Sequence, residues 1–333
     1  VLSPDSKLLA TRNKEGYDVW DLQKGELLNK LSISNILDQF SFMAGNKALL
    51  LWRPGHQVII KTLTDNDRSL DKTVAVLNSL GKIELLSMDP EHNKMAILTA
   101  RDSVYLIDMQ QGEKQFAFLS DKKSRFSSLH LSYDGSHLFT TREDPQEVGL
   151  ILAETWQLKE KGKPVKISKA ILPGLYLDLS NFAVSRNNRN MLLGTNDPKD
   201  IFLLDAFSGS IKTSLGGSSN EYYSADFNPA GDKILTASFP RQITWDYKMG
   251  KPDSLIGRNY AREAMYSPSG DHVLVNYGSA VSLLSLKDPA EKKTITCNKK
   301  DISIDKAVFS ADGKRVLIWD TEKEAVVWDI KSG

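Results

Sequence analysis

The residue types that carry out chemistry in proteins are sparse in this chain and have no catalytic spacing. The sequence has no G-x-x-x-x-G-K-S/T phosphate loop, no H-E-x-x-H helix and no G-x-S-x-G nucleophile turn. Its five histidines are scattered, and the single cysteine, Cys297, stands alone. The acidic run at 65–71 lacks the sixth-position glycine of a calcium loop. These observations predict a non-catalytic domain with no metal site and no cofactor.

Arginine is the residue type whose placement suggests binding. Five arginines lie at or near the end of the second strand of a repeating unit: Arg12, Arg53, Arg101, Arg142 and Arg241. The guanidinium group suits bidentate recognition of carboxylates and phosphates. We therefore expect a basic ring that binds other proteins or peptides through acidic segments. Solvated arginine–acid pairs, such as Arg101 with the adjacent Asp102, are the simpler explanation of the same pattern.

Aromatic and apolar residues near the arginines extend this candidate binding face. Trp52 and Trp319 end second strands, so we expect them at its rim. The segment 159–177 is basic in its first half and apolar in its second. Leu172 and Tyr176, in the apolar half, are predicted to cover the ligand, although the segment could equally supply an irregular fourth strand.

The elements that must position these residues come from an internal repeat. A Ser-Pro-Asp-Gly-like turn between two apolar strands recurs about every 44 residues, which is the period of one four-stranded propeller blade. The clearest copies begin at Ser3, Ser132, Asn228, Ser267 and Ser310. In such turns proline presets φ, aspartate caps its own backbone and glycine accepts a positive φ.

A third strand in several units ends in Trp-Asp and leads into a glycine turn. The copies are Trp20-Asp21, Trp245-Asp246 and Trp328-Asp329. Together with the recurring turn, this pattern resembles the WD-repeat (tryptophan–aspartate repeat) β-propellers over essentially the whole chain. The sequence departs from that family because the Gly-His pair expected before the first strand is replaced, as at Leu215-Gly216-Gly217.

The predicted fold is therefore all-β, with residues 1–333 forming a single WD-repeat-like β-propeller of about eight four-stranded blades. Seven blades plus part of a neighbouring propeller is the alternative. The first strand of the first unit is short and the last unit lacks a fourth strand, so we expect a fragment of a longer chain.

The resemblance implies a non-catalytic scaffold that binds proteins or peptides through a loop-rich face. The alternative is an accessory or gating propeller of an enzyme, of the peptidase or dehydrogenase type, with the catalytic part outside this segment. The chain has 43 basic and 42 acidic residues, and this balance gives no field that would recruit nucleic acid. Its longest run without Asp, Glu, Lys or Arg, 272–286, is too short to span a membrane. With no leader visible, we expect a cytoplasmic location.

Overall fold

The structure is a computed structural model of the 333-residue chain. It describes residues 1–32, 39–63, 71–89, 94–109, 111–119, 125–159, 162–173, 177–195, 200–215, 222–238, 242–246, 251–257, 259–288, 290–296, 303–320 and 325–332. The chain divides into two compact units, one formed by Val1–Gln146 with Leu152–Lys169 and the other by Glu147–Ile151 with Ala170–Gly333.

The first four sheets are antiparallel and follow one another along the chain. Sheet 1 contains β1 Leu8–Arg12, β2 Gly16–Asp21 and β3 Glu26–Ser32; sheet 2 contains β4 Gln39–Phe42, β5 Ala48–Trp52 and β6 Ile59–Thr62, with a 3₁₀ turn at Ala44–Asn46; sheet 3 contains β7 Ile83–Met88, β8 Lys94–Thr99, β9 Ser103–Asp108 and β10 Glu113–Leu119; sheet 4 contains β11 Phe126–Leu131, β12 His137–Glu143, β13 Leu150–Gln157 and β14 Val165–Pro173.

The last four sheets repeat the same up-and-down order. Sheet 5 contains β15 Leu177–Val184, β16 Asn190–Thr195, β17 Ile201–Asp205 and β18 Ile211–Ser214; sheet 6 contains β19 Tyr222–Phe227, β20 Lys233–Ser238, β21 Gln242–Asp246 and β22 Lys251–Gly257; sheet 7 contains β23 Glu263–Tyr266, β24 His272–Asn276, β25 Val281–Ser285 and β26 Lys292–Ile295; sheet 8 contains β27 Ile304–Phe309, β28 Arg315–Asp320 and β29 Ala325–Asp329.

The prediction of eight repeated sheets is confirmed, with a refinement in three of them. Among the described residues, sheets 1, 2 and 8 have three strands instead of four. In sheet 1 the missing first strand is reduced to a bridge between Leu2 and Leu9. The next described element after β6 is the helix α1, Asp71–Leu80, which the sequence pattern did not predict. In the described part of the chain, no helix is long and apolar enough to cross a membrane.

The recurring turn owes its sequence signature to local hydrogen bonds. Ser132 donates its hydroxyl to Asp134 Oδ1 at 2.6 Å and accepts the backbone N–H of His137 at 2.9 Å. Ser3, Ser185 and Ser310 repeat this arrangement in their own sheets. The fourth residue of the turn has a positive φ, 61° at Gly135, which is why glycine or asparagine is frequent there.

Apolar clusters between successive sheets form the core of each unit. In the first unit, they lie between sheets 1 and 2, sheets 2 and 3, and sheets 3 and 4. In the second unit they lie between sheets 5 and 6, sheets 6 and 7, and sheets 7 and 8. Face-to-face packing of consecutive sheets buries both faces of the inner strands, so these strands read as continuous apolar runs.

Tryptophans on third strands tie neighbouring strands together. Trp20, Trp156 and Trp245 donate their indole N–H to a threonine of the second strand at 2.9–3.2 Å. The Trp-Asp pattern predicted the third-strand positions of Trp20 and Trp245. It missed Trp156, because a glutamine follows this residue instead of an aspartate.

Candidate functional site

The described part of the first unit contains an open cleft of about 820 Å³ between sheets 2 and 3 and helix α1. Its apolar wall includes Ile60 of β6 and Val74 of the helix. Three basic residues, His56, Lys82 and Arg101, line its other side and are exposed. We call this site the basic cleft; it combines an apolar wall with a basic rim.

Backbone hydrogen bonds between the two sheets hold the loops that carry these basic residues. Gly55 donates its N–H to the carbonyl of Ile83 at 2.6 Å, and Ile83 donates to the carbonyl of His56 at 3.0 Å. Within sheet 3, Ala100, which follows β8, donates its N–H to the carbonyl of Lys82, which precedes β7, at 3.0 Å. His56, Lys82 and Arg101 are therefore attached to a paired backbone at the same end of the two sheets.

Helix α1 forms the wall that faces β6. Thr73, Leu77 and Leu80 are buried on one side of the helix, at a spacing that matches its period. Thr73 also donates its hydroxyl to the carbonyl of Met109 at 3.1 Å, which anchors the first turn to sheet 3. Gly81 ends the helix with a φ of 74°, a left-handed conformation that favours glycine.

Among the described residues, no acid neutralises the basic rim of the cleft. The described residues that line the cleft include no aspartate or glutamate. Asp102, which adjoins Arg101, pairs instead with Arg125 at 2.8 Å. Among the described residues, neither Lys82 nor Arg101 has a carboxylate within 4.0 Å. The described lining of the cleft therefore carries a local positive charge on a chain that is nearly neutral overall.

Arg142 was predicted to bind a partner, and its structural setting points to another role. Its Nη2 lies 3.1 Å from Oε1 of Glu154, a carboxylate that is fully buried on β13. Lys166 Nζ lies 2.8 Å from the same oxygen. Each cation also lies beside an aromatic ring. Arg142 Cζ is 5.8 Å from the centroid of the Phe126 ring, and Lys166 Nζ is 5.1 Å from the centroid of the Trp156 ring. Arg142 is thus occupied by a buried internal charge.

The structure places the other predicted residues as follows. Arg12 ends β1 and Arg53 follows β5; both are half-buried and both interact with other groups. Trp52 is half-buried against the cluster between sheets 2 and 3, and Trp319 is half-buried on β28. Arg241 and Tyr176 lie outside the described residues.

The prediction for Leu172 needs correction. The segment around it forms the regular fourth strand β14, and Leu172 is fully buried there. Its side chain therefore cannot cover a ligand at the surface. Of the two interpretations of this segment, the structure supports a fourth strand.

Of the five predicted arginines, the basic cleft contains Arg101. Sequence analysis missed His56, Lys82 and helix α1. The signal for the helix was Thr73, Val74, Leu77 and Leu80 followed by Gly81, a short apolar period that ends in a helix-stop residue. Nothing in the sequence pattern indicated that Lys82 would adjoin Arg101, because their proximity depends on strand pairing.

Comparison with known proteins supports the fold. No family model matches the chain. U3 small nucleolar RNA-associated protein 21 of Saccharomyces cerevisiae is 30% identical over 109 residues, which are 32% of this chain and 12% of that protein. The match thus spans about an eighth of the length of that relative.

Two solved structures share the fold over almost the whole chain. The C-terminal WD40 domain of Sif2 aligns with a TM-score of 0.66 and 14% identity, covering 97% of this chain and 92% of that one. The dihydro-heme d1 dehydrogenase NirN in complex with DHE aligns with a TM-score of 0.67 and 15% identity, covering 100% of this chain and 72% of that one. The predicted β-propeller fold and its resemblance to WD-repeat propellers are confirmed.

Proposed function

We propose that this chain is a protein-interaction scaffold that binds acidic peptide segments of other proteins in the basic cleft. The observation that carries the proposal is the exposed group His56, Lys82 and Arg101, held at one end of sheets 2 and 3 with no acid among the described lining residues. Carboxylates are the protein groups that the lysine and arginine side chains recognise. The WD40 domain among the similar structures favours a scaffold.

The shape of the cleft fits a peptide. An apolar wall beside a basic rim suits an extended segment with apolar side chains followed by acidic ones. Exposed ion pairs contribute only about 0.2–1 kcal/mol each, so affinity must come from several contacts together. Described residues include no group of three His, Cys, Asp or Glu side chains that could share a metal ion.

The proposal is tested with a fluorescent peptide of sequence TITVTEDE and its amide counterpart TITVTQNQ. We expect TITVTEDE to bind at low salt, to bind more weakly as ionic strength rises, and to bind at least tenfold more tightly than TITVTQNQ. The double substitution Lys82→Ala with Arg101→Ala should weaken binding about tenfold. Fluorescence anisotropy measures each affinity.

A matched control removes the same charges at a distance from the cleft. Lys24 and Arg189 are exposed at turns outside the cleft, and their replacement by alanine should leave the affinity unchanged within twofold. Equal loss of affinity in both double variants would show that binding reflects net charge. Equal binding of the acidic and amide peptides would contradict recognition of carboxylates.

A further inference from the structure

In the described part of the chain, sheet 2 has no fourth strand, and the basic cleft lies along the edge where such a strand would pair. Its three strands are ordered β4-β5-β6, so β6 is the edge. The cleft is lined by both Ile59 and Ile60. Ile59 packs against the cluster between sheets 1 and 2, and Ile60 against the cluster between sheets 2 and 3. A cleft that touches residues from both faces of a strand must run along its edge.

The register of β6 shows which backbone groups face the cleft. Leu49 pairs with Lys61, and Leu63 donates its N–H to the carbonyl of Lys47 at 2.8 Å. Because alternate residues of an antiparallel strand direct their backbone groups to opposite sides, Lys61 points toward β5. Ile60 and Thr62 then direct their N–H and C=O groups to the open edge. In the described part of the chain, β6 has no strand partner on that side.

We propose that an acidic segment of a partner protein binds by strand addition, becoming the missing fourth strand of sheet 2. This inference rests on the proposed function and specifies its mode. Unpaired edge groups supply main-chain hydrogen bonds to an added strand, while side-chain pockets supply specificity. Sheets 1, 3 and 5 to 8 are antiparallel throughout, so the added segment should run antiparallel to β6.

Charge fixes the direction of the peptide. The chain enters β6 from the loop that carries His56, and the strand runs away from the basic rim toward Thr62. An antiparallel segment therefore ends beside His56, Lys82 and Arg101. The partner is thus an extended segment with alternating apolar residues in its first half and aspartate or glutamate in its C-terminal half.

The main test removes one backbone donor from the edge. Thr62 is exposed and its N–H faces the open edge of β6, so Thr62→Pro deletes that donor without deleting a core contact. Proline is tolerated in an edge strand at such a position. We expect Thr62→Pro to weaken binding of TITVTEDE at least tenfold, whereas Thr62→Ala, which keeps the N–H, should bind within twofold of the unaltered protein.

Hydrogen exchange on the unaltered protein gives a second measurement that does not depend on how Thr62→Pro folds. Saturation with TITVTEDE should slow exchange of the Ile60 and Thr62 amides and leave Lys61 unchanged. The reversed peptide EDETVTIT should bind at least tenfold more weakly, because its acids would lie at the wrong end of the cleft.

The outcomes separate the two proposals. If Thr62→Pro binds normally and the Ile60 and Thr62 amides stay unprotected, while Lys82→Ala with Arg101→Ala loses binding, strand addition is wrong and acid recognition stands. Equal binding of the reversed peptide would overturn the proposed direction. If TITVTEDE binds no better than TITVTQNQ and protects no amide of β6, both proposals are wrong.

Discussion

Replacing Arg142 with alanine should cost stability, not partner binding. Arg142 Nη2 lies 3.1 Å from the carboxylate of Glu154, with the arginine side chain 16% exposed and the glutamate side chain fully buried. At an effective dielectric constant of about 20, unit charges at this separation attract by roughly 5 kcal/mol. Removing one partner of a buried pair costs about 3–5 kcal/mol. Because Lys166 remains 2.8 Å from the same oxygen, we expect Arg142→Ala to cost about 3 kcal/mol.

Urea unfolding followed by tryptophan fluorescence measures this effect. Trp156 lies on the same strand as Glu154 and reports on sheet 4. Arg101→Ala is the matched control, because Arg101 is exposed and has no carboxylate within 4.0 Å among the described residues; its cost should stay below about 0.5 kcal/mol. Binding of TITVTEDE should be normal in folded Arg142→Ala protein. Equal stability of the two variants would refute the reasoning, as would a loss of peptide binding in Arg142→Ala without a loss of stability.

Two further predictions concern the second unit. Trp245 packs against the cluster between sheets 5 and 6 and donates to Thr236 at 2.9 Å, so Trp245→Ala should cost about 3 kcal/mol in urea unfolding; a cost below about 1 kcal/mol would mean that the ring is a surface group. Burial raises the pKa of Asp226 to about 6. The backbone N–H of Tyr266, which donates to Asp226 Oδ2 at 3.3 Å, acts in the opposite direction and lowers this pKa. The carboxyl of Asp226 then binds a proton more tightly in the folded state than in the unfolded state. Its contribution to the free energy of unfolding is therefore present at pH 4 and is lost as the pH rises through 6. Relative to the unaltered protein, the free energy of unfolding of Asp226→Asn should therefore rise by about 2 kcal/mol between pH 4 and 7, and parallel stability curves for the two proteins would contradict this.

The sequence determined the repeated architecture because its signals are local. The hydroxyl of Ser132 bonds within the same turn, and Gly135 satisfies a backbone requirement three residues later. Such contacts need no distant partner, so they leave a regular trace in the sequence. The third-strand tryptophans also leave a trace, although the Trp-Asp pattern overlooked Trp156, whose hydrogen bond to Thr140 matches that of Trp245 to Thr236.

The tertiary structure decided which basic residues are available to a ligand. Arg101 and Arg142 occupy similar places in the repeat, but β13 brings the buried Glu154 to Arg142, while Asp102 beside Arg101 pairs with Arg125. Strand pairing also brings Lys82 to Arg101, and both β6, an edge strand of sheet 2 in the described part of the chain, and helix α1 line the cleft. Charge pairing and edge exposure depend on contacts between residues far apart in the chain, so the spacing of residues along the sequence could not determine them.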